Sequence, residues 1–132
     1  MFRTMLVEDS PSFRQVVKDN LHDQFPSMDI TEAGDGPEAF RKINSQPPNL
    51  IFMDINLPGE NGLELTRKIK ENYPGVTIII LTSHDSPEYR EAATRSRANY
   101  FLSKGSIATD EILKLVKSIV LRKGFNADGS DN

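Results

Sequence analysis

Several features are missing from this chain of 132 residues, and each absence excludes a class of protein. There is no cysteine, which excludes a disulfide framework, thiolate-bound zinc, an iron–sulfur cluster and a cysteine nucleophile. The charges nearly balance, with 16 Lys and Arg against 19 Asp and Glu, so we expect no direct nucleic-acid binding. No apolar run approaches the roughly 18 residues of a membrane span, and no signal peptide precedes the first apolar segment. We therefore expect one cytoplasmic domain with no membrane association.

Apolar segments alternate with helical patterns along the chain. The run at 76–81 hardly alternates between apolar and polar residues, which is typical of a strand buried on both faces of a parallel sheet. Five βα units predict an open, doubly wound α/β fold with helices on both faces, because a barrel would need eight units. The five strands are predicted at residues 2–7, 28–33, 50–53, 76–81 and 100–102.

Capping residues followed by proline mark the predicted helix starts. Ser10-Pro11 begins the first helix and Ser86-Pro87 the fourth, since proline suits the first helical turn. The third helix is predicted to begin near Asn61, and the fifth to run from about Thr109 to Arg122. Residues 123–132 are polar and unpatterned, which predicts a disordered tail or a truncated linker.

The carboxyl ends of the strands are where an open parallel sheet places its functional groups. Three carboxylates meeting there repel each other by about 4 kcal/mol per pair at about 4 Å and an effective dielectric of about 20. A cation must offset this repulsion, and a set of few, oxygen-only ligands favours Mg²⁺ over a caged Ca²⁺. Read in chain order, these positions hold Glu8 and Asp9, then Asp54, then Thr82 and Ser83, and finally Lys104.

A carboxylate can also act as a nucleophile and become an aspartyl phosphate. Asp54 is the candidate, because the third strand is central and has the other groups on either side. Mg²⁺ and Lys104 would neutralise the phosphoryl oxygens, and the Thr82 hydroxyl would donate a hydrogen bond to one of them. Glu8 and Asp9 would then hold the metal.

Five separated segments of the chain form a recognisable set: LVEDS at 6–10, LIFMDINLPG at 50–59, GLE at 62–64, IILTS at 79–83 and YFLSK at 100–104. Together they resemble the receiver domains of bacterial two-component response regulators, the chemotaxis regulators among them. The resemblance covers about residues 3–122, and residues 1–122 are the predicted domain. It implies a flavodoxin-like (βα)5 sandwich whose strands lie in the order 2-1-3-4-5.

The resemblance implies a set of residue roles. Asp54 would accept a phosphoryl group from a sensor histidine kinase or a histidine phosphotransfer protein, and Thr82 and Lys104 would contact that group. Phe101 would be the switch aromatic of a surface formed by the fourth helix, fifth strand and fifth helix. The Mg²⁺ ligands would be Glu8, Asp9, Asp54 and the backbone carbonyl of Asn56. The residues that tune the phosphate lifetime would be Asn56, Ser83 and His84.

The resemblance also implies what the domain acts upon. It would not be an enzyme but a signalling phosphoacceptor that assists its own phosphorylation and dephosphorylation. Its partners would be the phosphodonor, a downstream effector protein or an output domain missing from this chain, and a phosphorylation-dependent second copy. Three positions depart from the common receiver pattern: Gly105 follows the lysine where proline is frequent, Ser83 follows the switch hydroxyl where alanine or glycine is frequent, and Phe101 stands where tyrosine is frequent.

Three other functions compete with this interpretation. A haloacid-dehalogenase-like phosphatase needs a second aspartate two residues after its nucleophile, where this chain has Asn56. A flavodoxin would place its flavin phosphate beside Glu8 and Asp9, which would repel it. A receiver-like module that binds proteins without phosphorylation is the remaining alternative, although the complete set of acids, hydroxyl and lysine argues against it.

Overall fold

Strands and helices alternate along the part of the chain that the computed structural model describes, residues 1–106 and 110–132. The strands are β1 (Arg3–Val7), β2 (Asp29–Ala33), β3 (Leu50–Asp54), β4 (Asn56–Leu57), β5 (Glu60–Asn61), β6 (Thr77–Thr82) and β7 (Tyr100–Ser103). The helices are α1 (Pro11–Gln24), α2 (Gly36–Ser45), α3 (Gly62–Asn72), α4 (Pro87–Arg95) and α5 (Asp110–Arg122), and a 3₁₀ turn covers Lys104–Ser106. None of these helices is both long and apolar enough to span a membrane.

Five parallel strands form the main sheet in the order β2-β1-β3-β6-β7. This confirms the predicted doubly wound α/β fold, because counting only these five strands gives the order 2-1-3-4-5. All five residues of the central strand β3 are buried. The sequence did not predict the small antiparallel hairpin of β4 and β5, in which Asn56 pairs with Asn61 directly after the central strand.

Two apolar cores cover the two faces of the sheet. Strand β6, whose sequence lacks alternation, contributes to both cores. Ile78 and Ile80 lie in one core, and Ile79 and Leu81 lie in the other. Helices α2, α3 and α4 pack on the first face, and α1 and α5 on the second. Burying each such aliphatic side chain stabilises the fold by about 1.5–3 kcal/mol.

The helix starts follow the predicted caps. The Ser10 hydroxyl accepts a hydrogen bond from the backbone N–H of Phe13 at 3.3 Å, and the Ser86 hydroxyl accepts one from Tyr89 at 3.3 Å. Asn61 caps α3 in the same way. The predicted first residue of the fifth helix, Thr109, lies outside the described residues. These caps place α1, α3 and α4 immediately after the carboxyl ends of strands, at the edge that carries the acids.

The chain after α5 contacts the residues that precede β1 and β2. The ring of Phe125 meets the ring of Phe2 edge-on, with centroids 5.3 Å apart. The backbone N–H of Phe2 donates to the carbonyl of Gly129 at 2.8 Å, and the N–H of Ser27 donates to the carbonyl of Asp128 at 3.1 Å. Long-range backbone hydrogen bonds therefore hold this segment beside the residues that precede β1 and β2. The polar composition of the segment gave no sign of that pairing.

Candidate functional site

Three carboxylates meet where β1 and β3 end. One oxygen each of Glu8, Asp9 and Asp54 lies within 4.8 Å of the others. Strands β1 and β3 are adjacent and parallel, with Val7 opposite Met53, so the residues that follow come side by side. Glu8 and Asp54 are buried, whereas Asp9 is exposed. The structure thus brings together the three acids that the strand ends predicted.

The main chain of Asp54 is held by the start of α3. The N–H of Gly62 donates to the carbonyl of Ile55 at 2.7 Å. A Cβ atom at Gly62 would lie 1.9 Å from the Asp54 carbonyl oxygen, which is far inside van der Waals contact. The glycine therefore permits the close approach that fixes the end of β3. The GLE segment contains this residue, but the sequence does not reveal the contact.

Lys104 reaches into the acidic cluster from the end of β7. Its ammonium donates a hydrogen bond to Glu8 Oε1 and lies 3.4 Å from Asp54 Oδ2. Burial alone would lower the pKa of Lys104, but the hydrogen bond to Glu8 and the negative charge of Asp54 outweigh it and raise that pKa above its ordinary value. The same ammonium lies 4.7 Å from the centroid of the Phe13 ring, a contact that the sequence did not predict.

Thr82 ends the strand next to the acidic cluster. In the ladder between β3 and β6, Asp54 pairs with Leu81, so Thr82 is one residue further toward the carboxyl edge. Its side chain is fully buried, and its hydroxyl oxygen accepts a hydrogen bond from the His84 N–H at 2.9 Å. Ser83 and His84 are exposed beside it. The hydroxyl is therefore near the site but bonded to the loop between β6 and α4.

Asn56 lies on the rim of the site. Its side chain is exposed, and its backbone N–H is 3.4 Å from Asp54 Oδ1, which is a long hydrogen bond. The N–H points to the carboxylate on the short turn that leads into the β4–β5 hairpin. This contact orients the Asp54 side chain, and the predicted part of the Asn56 carbonyl in metal binding stays a prediction.

Phe101 is half-buried on the neighbouring strand β7, where it packs against the core that α2, α3 and α4 cover. The guanidinium carbon of Arg90 lies 4.9 Å from the centroid of its ring. The carboxylate of Asp85 accepts two hydrogen bonds from Arg90, at 2.6 and 2.9 Å, and so fixes the guanidinium. The sequence did not single out this arrangement, because an arginine on an exposed helix face is usually solvated.

Arg14 of α1 supports the acidic cluster from outside. Its Nη1 donates to the backbone carbonyl of Glu8 at 2.9 Å, and its Nε lies 3.4 Å from Glu32 Oε1. The side chain thereby connects the loop after β1 to the edge strand β2. Its position five residues after Asp9 gives no signal that the sequence alone could use.

The charges at the site do not balance among these residues. Three carboxylates face one ammonium, so a cation is needed to offset the remaining repulsion. Carboxylate oxygens are the ligands that Mg²⁺ prefers, and the exposed Asp9 leaves access from solvent. Glu8, Asp9 and Asp54 therefore fit a magnesium ion.

The chain is also similar in sequence to known proteins. Residues 4–117 match the family described as the response regulator receiver domain. The chain is 30% identical to the transcriptional activator protein ExaE of Pseudomonas putida, over 88% of this chain and 54% of that protein. It is 31% identical to the transcriptional regulatory protein DegU of Brevibacillus brevis, over 87% of this chain and 48% of that protein. The chain thus spans about half the length of these relatives.

Solved structures agree with the fold. The response regulator TrrA of Thermotoga maritima, in complex with Mg²⁺ and beryllofluoride, superposes with a TM-score of 0.79 at 31% identity, covering 90% of this chain and 99% of that one. The receiver domain of the Francisella response regulator 1452 gives a TM-score of 0.82 at 26% identity, covering 93% and 99%.

Proposed function

The chain belongs to the response regulator receiver family, and from this premise we propose that Asp54 accepts a phosphoryl group from a histidine kinase or a histidine phosphotransfer protein. One observation carries the proposal. The Asp54 carboxylate ends the central strand, within 4.8 Å of Glu8 and Asp9 and 3.4 Å from the Lys104 ammonium. An acid in that position has the partners that phosphoryl transfer requires.

Glu8, Asp9 and Asp54 would hold Mg²⁺, together with the backbone carbonyl of Asn56. When bound, the ion supplies positive charge that neutralises the developing charge on the phosphoryl oxygens. The buried Glu8 also accepts the hydrogen bond from Lys104, so the same carboxylate serves both cations.

In the transfer step, an oxygen of Asp54 attacks the phosphorus of the phosphohistidine in line with the bond to nitrogen. The new O–P bond forms as the P–N bond breaks, and the electron pair of that bond returns to the imidazole nitrogen. Lys104 neutralises charge on the transferred group, and the Thr82 hydroxyl donates a hydrogen bond to one of its oxygens. The Asn56 N–H keeps the attacking carboxylate oriented.

The domain assists this reaction on itself and acts on no separate substrate. It also assists the later hydrolysis of the acyl phosphate, in which water attacks phosphorus and the aspartate carboxylate is released. Asn56, Ser83 and His84 tune the lifetime of the phosphate. The exposure of all three, where an attacking water must enter, supports that role.

Phosphorylation would be transmitted through Thr82 and Phe101. In the unphosphorylated chain the Thr82 hydroxyl is bonded to the His84 N–H. The same hydroxyl is 3.5 Å from the His84 carbonyl, to which it donates weakly. A phosphoryl oxygen on Asp54 competes for this hydroxyl proton, and the inward shift of Thr82 frees the loop leading to α4. Phe101 then repacks on β7, and the surface of α4, β7 and α5 changes.

Residues 1–122 make up this phosphoacceptor unit, and a cytoplasmic location suits a partner of a sensor kinase. ExaE and DegU are named as transcriptional regulators and are about twice as long as the matched region. By analogy, the altered surface controls an output domain, a separate effector or pairing with a second copy of the receiver.

The test is labelling with acetyl phosphate and Mg²⁺, followed by mass spectrometry. Wild type should gain one base-labile phosphoryl group on Asp54, and Asp54→Asn should gain none. Asp23→Asn, which removes an exposed aspartate on α1, is the matched control and should be labelled normally. Labelling of a serine or threonine would overturn the mechanism. A wild type that takes up no label would favour a binding module that works without phosphorylation.

A further inference from the structure

The backbone after Lys104 restrains it weakly. Lys104 is the first residue of a 3₁₀ turn, and Gly105 follows it, exposed. Among the described residues other than its chain neighbours, only the Ser103 hydroxyl lies within 4 Å of where a Cβ of residue 105 would be. Glycine has more backbone freedom than any other residue. The lysine side chain is itself long and flexible. Contacts made by the ammonium must therefore determine where it lies.

Two of those contacts change during the proposed reaction. The ammonium is bound by Glu8 and Asp54, and both carboxylates belong to the cluster that fits Mg²⁺. A bound cation competes for their oxygens, and phosphorylation converts Asp54 into an acyl phosphate. These ion pairs therefore differ between the resting and the phosphorylated protein, and they do not by themselves keep Lys104 in one position.

The third contact is with an uncharged group. The Phe13 ring lies 4.7 Å from the Lys104 ammonium, within the range of a cation–π interaction. Phe13 is in the first turn of α1, and its N–H donates to the Ser10 cap at 3.3 Å. The ring is also packed against the core between α1 and α5, which limits its movement. Its charge distribution is the same before and after phosphorylation.

We infer that Phe13 is a positioning residue, whose aromatic face holds the Lys104 ammonium over the acidic cluster in both the resting and the phosphorylated states. The inference rests on the proposed function, because it gives Lys104 a part in phosphoryl transfer. It also accounts for a chain that has Gly105 after the lysine, since side-chain packing then replaces backbone restraint.

The experiment measures the ring-current shift of the Lys104 ε-methylene protons by NMR on lysine-labelled protein, with Lys104→Arg used for assignment. In wild type these protons should resonate upfield of those of other lysines, without metal and again with Mg²⁺ and beryllofluoride. Phe13→Tyr should keep the shift, and Phe13→Leu should lose it. Loss of the shift in wild type on adding beryllofluoride would overturn the inference.

A second readout is the rate of labelling by acetyl phosphate. Phe13→Leu should slow it by about two- to fivefold, the effect of losing one exposed cation–π contact, and Phe13→Tyr should restore the rate. The matched control is Phe40→Leu, which removes a half-buried ring from the opposite face of the sheet. If Phe13→Leu and Phe40→Leu lose similar thermal stability and both label at the wild-type rate, Phe13 is only a packing residue.

These readouts separate two kinds of failure. If wild type takes no label on Asp54, the proposed function is wrong, whatever the methylene shift shows. If Asp54 is labelled but the rate and the shift ignore residue 13, only the positioning role of Phe13 is wrong.

Discussion

The two edges of the main sheet each crowd charges of one sign, and they resolve the crowding differently. At the carboxyl edge, Glu8 and Asp54 share the ammonium of Lys104, and the Asp9 carboxylate lies beside them. At the amino edge, Lys70 donates to the carbonyl of Val76 at 2.5 Å, and Lys123 donates to the carbonyl of Gly75 at 2.7 Å. Neither of these two lysines forms an ion pair with a carboxylate in the described segments.

The difference separates a structural charge from a functional one. Each lysine of the amino edge has a neutral backbone oxygen as its partner, so its position needs no further ligand. Burial lowers the pKa of Lys70, and the charges of Lys123 and Arg97 add to the effect. The carboxyl edge instead keeps an excess of negative charge, which only a bound cation would offset. The excess negative charge that a bound cation would offset therefore lies at the edge where chemistry is proposed.

The largest expected effect comes from Gly62→Ala at the carboxyl edge. Its Cβ would collide with the Asp54 carbonyl at 1.9 Å, so α3 must move, at a cost of about 3 kcal/mol. Gly75→Ala at the amino edge is the control, because no atom of the described residues other than its chain neighbours lies within 4 Å of its Cβ position. It should change stability by less than about 0.5 kcal/mol. Urea unfolding of both variants checks this, and equal losses would show that the close approach at Gly62 can relax.

A smaller effect is expected for Asp9→Asn. Removing one of three repelling acids should stabilise the metal-free protein by about 0.5–1 kcal/mol, a modest gain because Asp9 is exposed. Added Mg²⁺ should stabilise wild type against urea but leave this variant unchanged. Asp23→Asn should respond to Mg²⁺ as wild type does. An Asp9→Asn variant that Mg²⁺ still stabilises would remove Asp9 from the metal site.

The smallest expected effect is a change in how strongly stability depends on pH, and it tests the amino edge of the sheet. The pKa of Lys70 is lowered in the folded protein from 10.5, so below that pH the unfolded chain binds more protons than the folded one. The contribution of Lys70 to stability should therefore rise with pH in this window, so the stability of Lys70→Met should rise less, or fall more, with pH than that of wild type. Lys123→Met should behave alike, because burial also lowers the pKa of Lys123. Unfolding curves at pH 7, 8.5 and 10 that run parallel for wild type and both variants would contradict this.

Much of the fold could be predicted from local patterns in the sequence. The unalternating run before Thr82 predicted a strand buried on both faces, and Ile78 and Ile79 do point into different cores. Serine caps followed by proline predicted the starts of α1 and α4. Each of these signals involves residues that are close in sequence. Such residues are close in space whatever the tertiary fold, so their interactions can be predicted without it.

Contacts between distant residues were not predictable in the same way. The strand ends indicated which acids meet, but the Phe13 ring beside Lys104 depends on how α1 and β7 come together in space. The pairing of Phe2 with Gly129 joins segments from the two ends of the chain. Polar composition suggested disorder for residues 123–132, because composition counts apolar surface and does not count backbone hydrogen bonds.

The pairing of Phe2 with Gly129 brings the two ends of the folded chain together. Phe2 and Gly129 are separated by nearly the whole sequence, and Met1 and Asp131 lie beside them as an ion pair at 2.5 Å. Closing so long a loop costs entropy, but each doubling of loop length adds only about 0.6 kcal/mol. Joining the two ends of the chain therefore costs little more entropy than closing a much shorter loop. A short linker could therefore join the two ends, and the chain could be opened at another loop without breaking the sheet. The fold is thus suited to circular permutation.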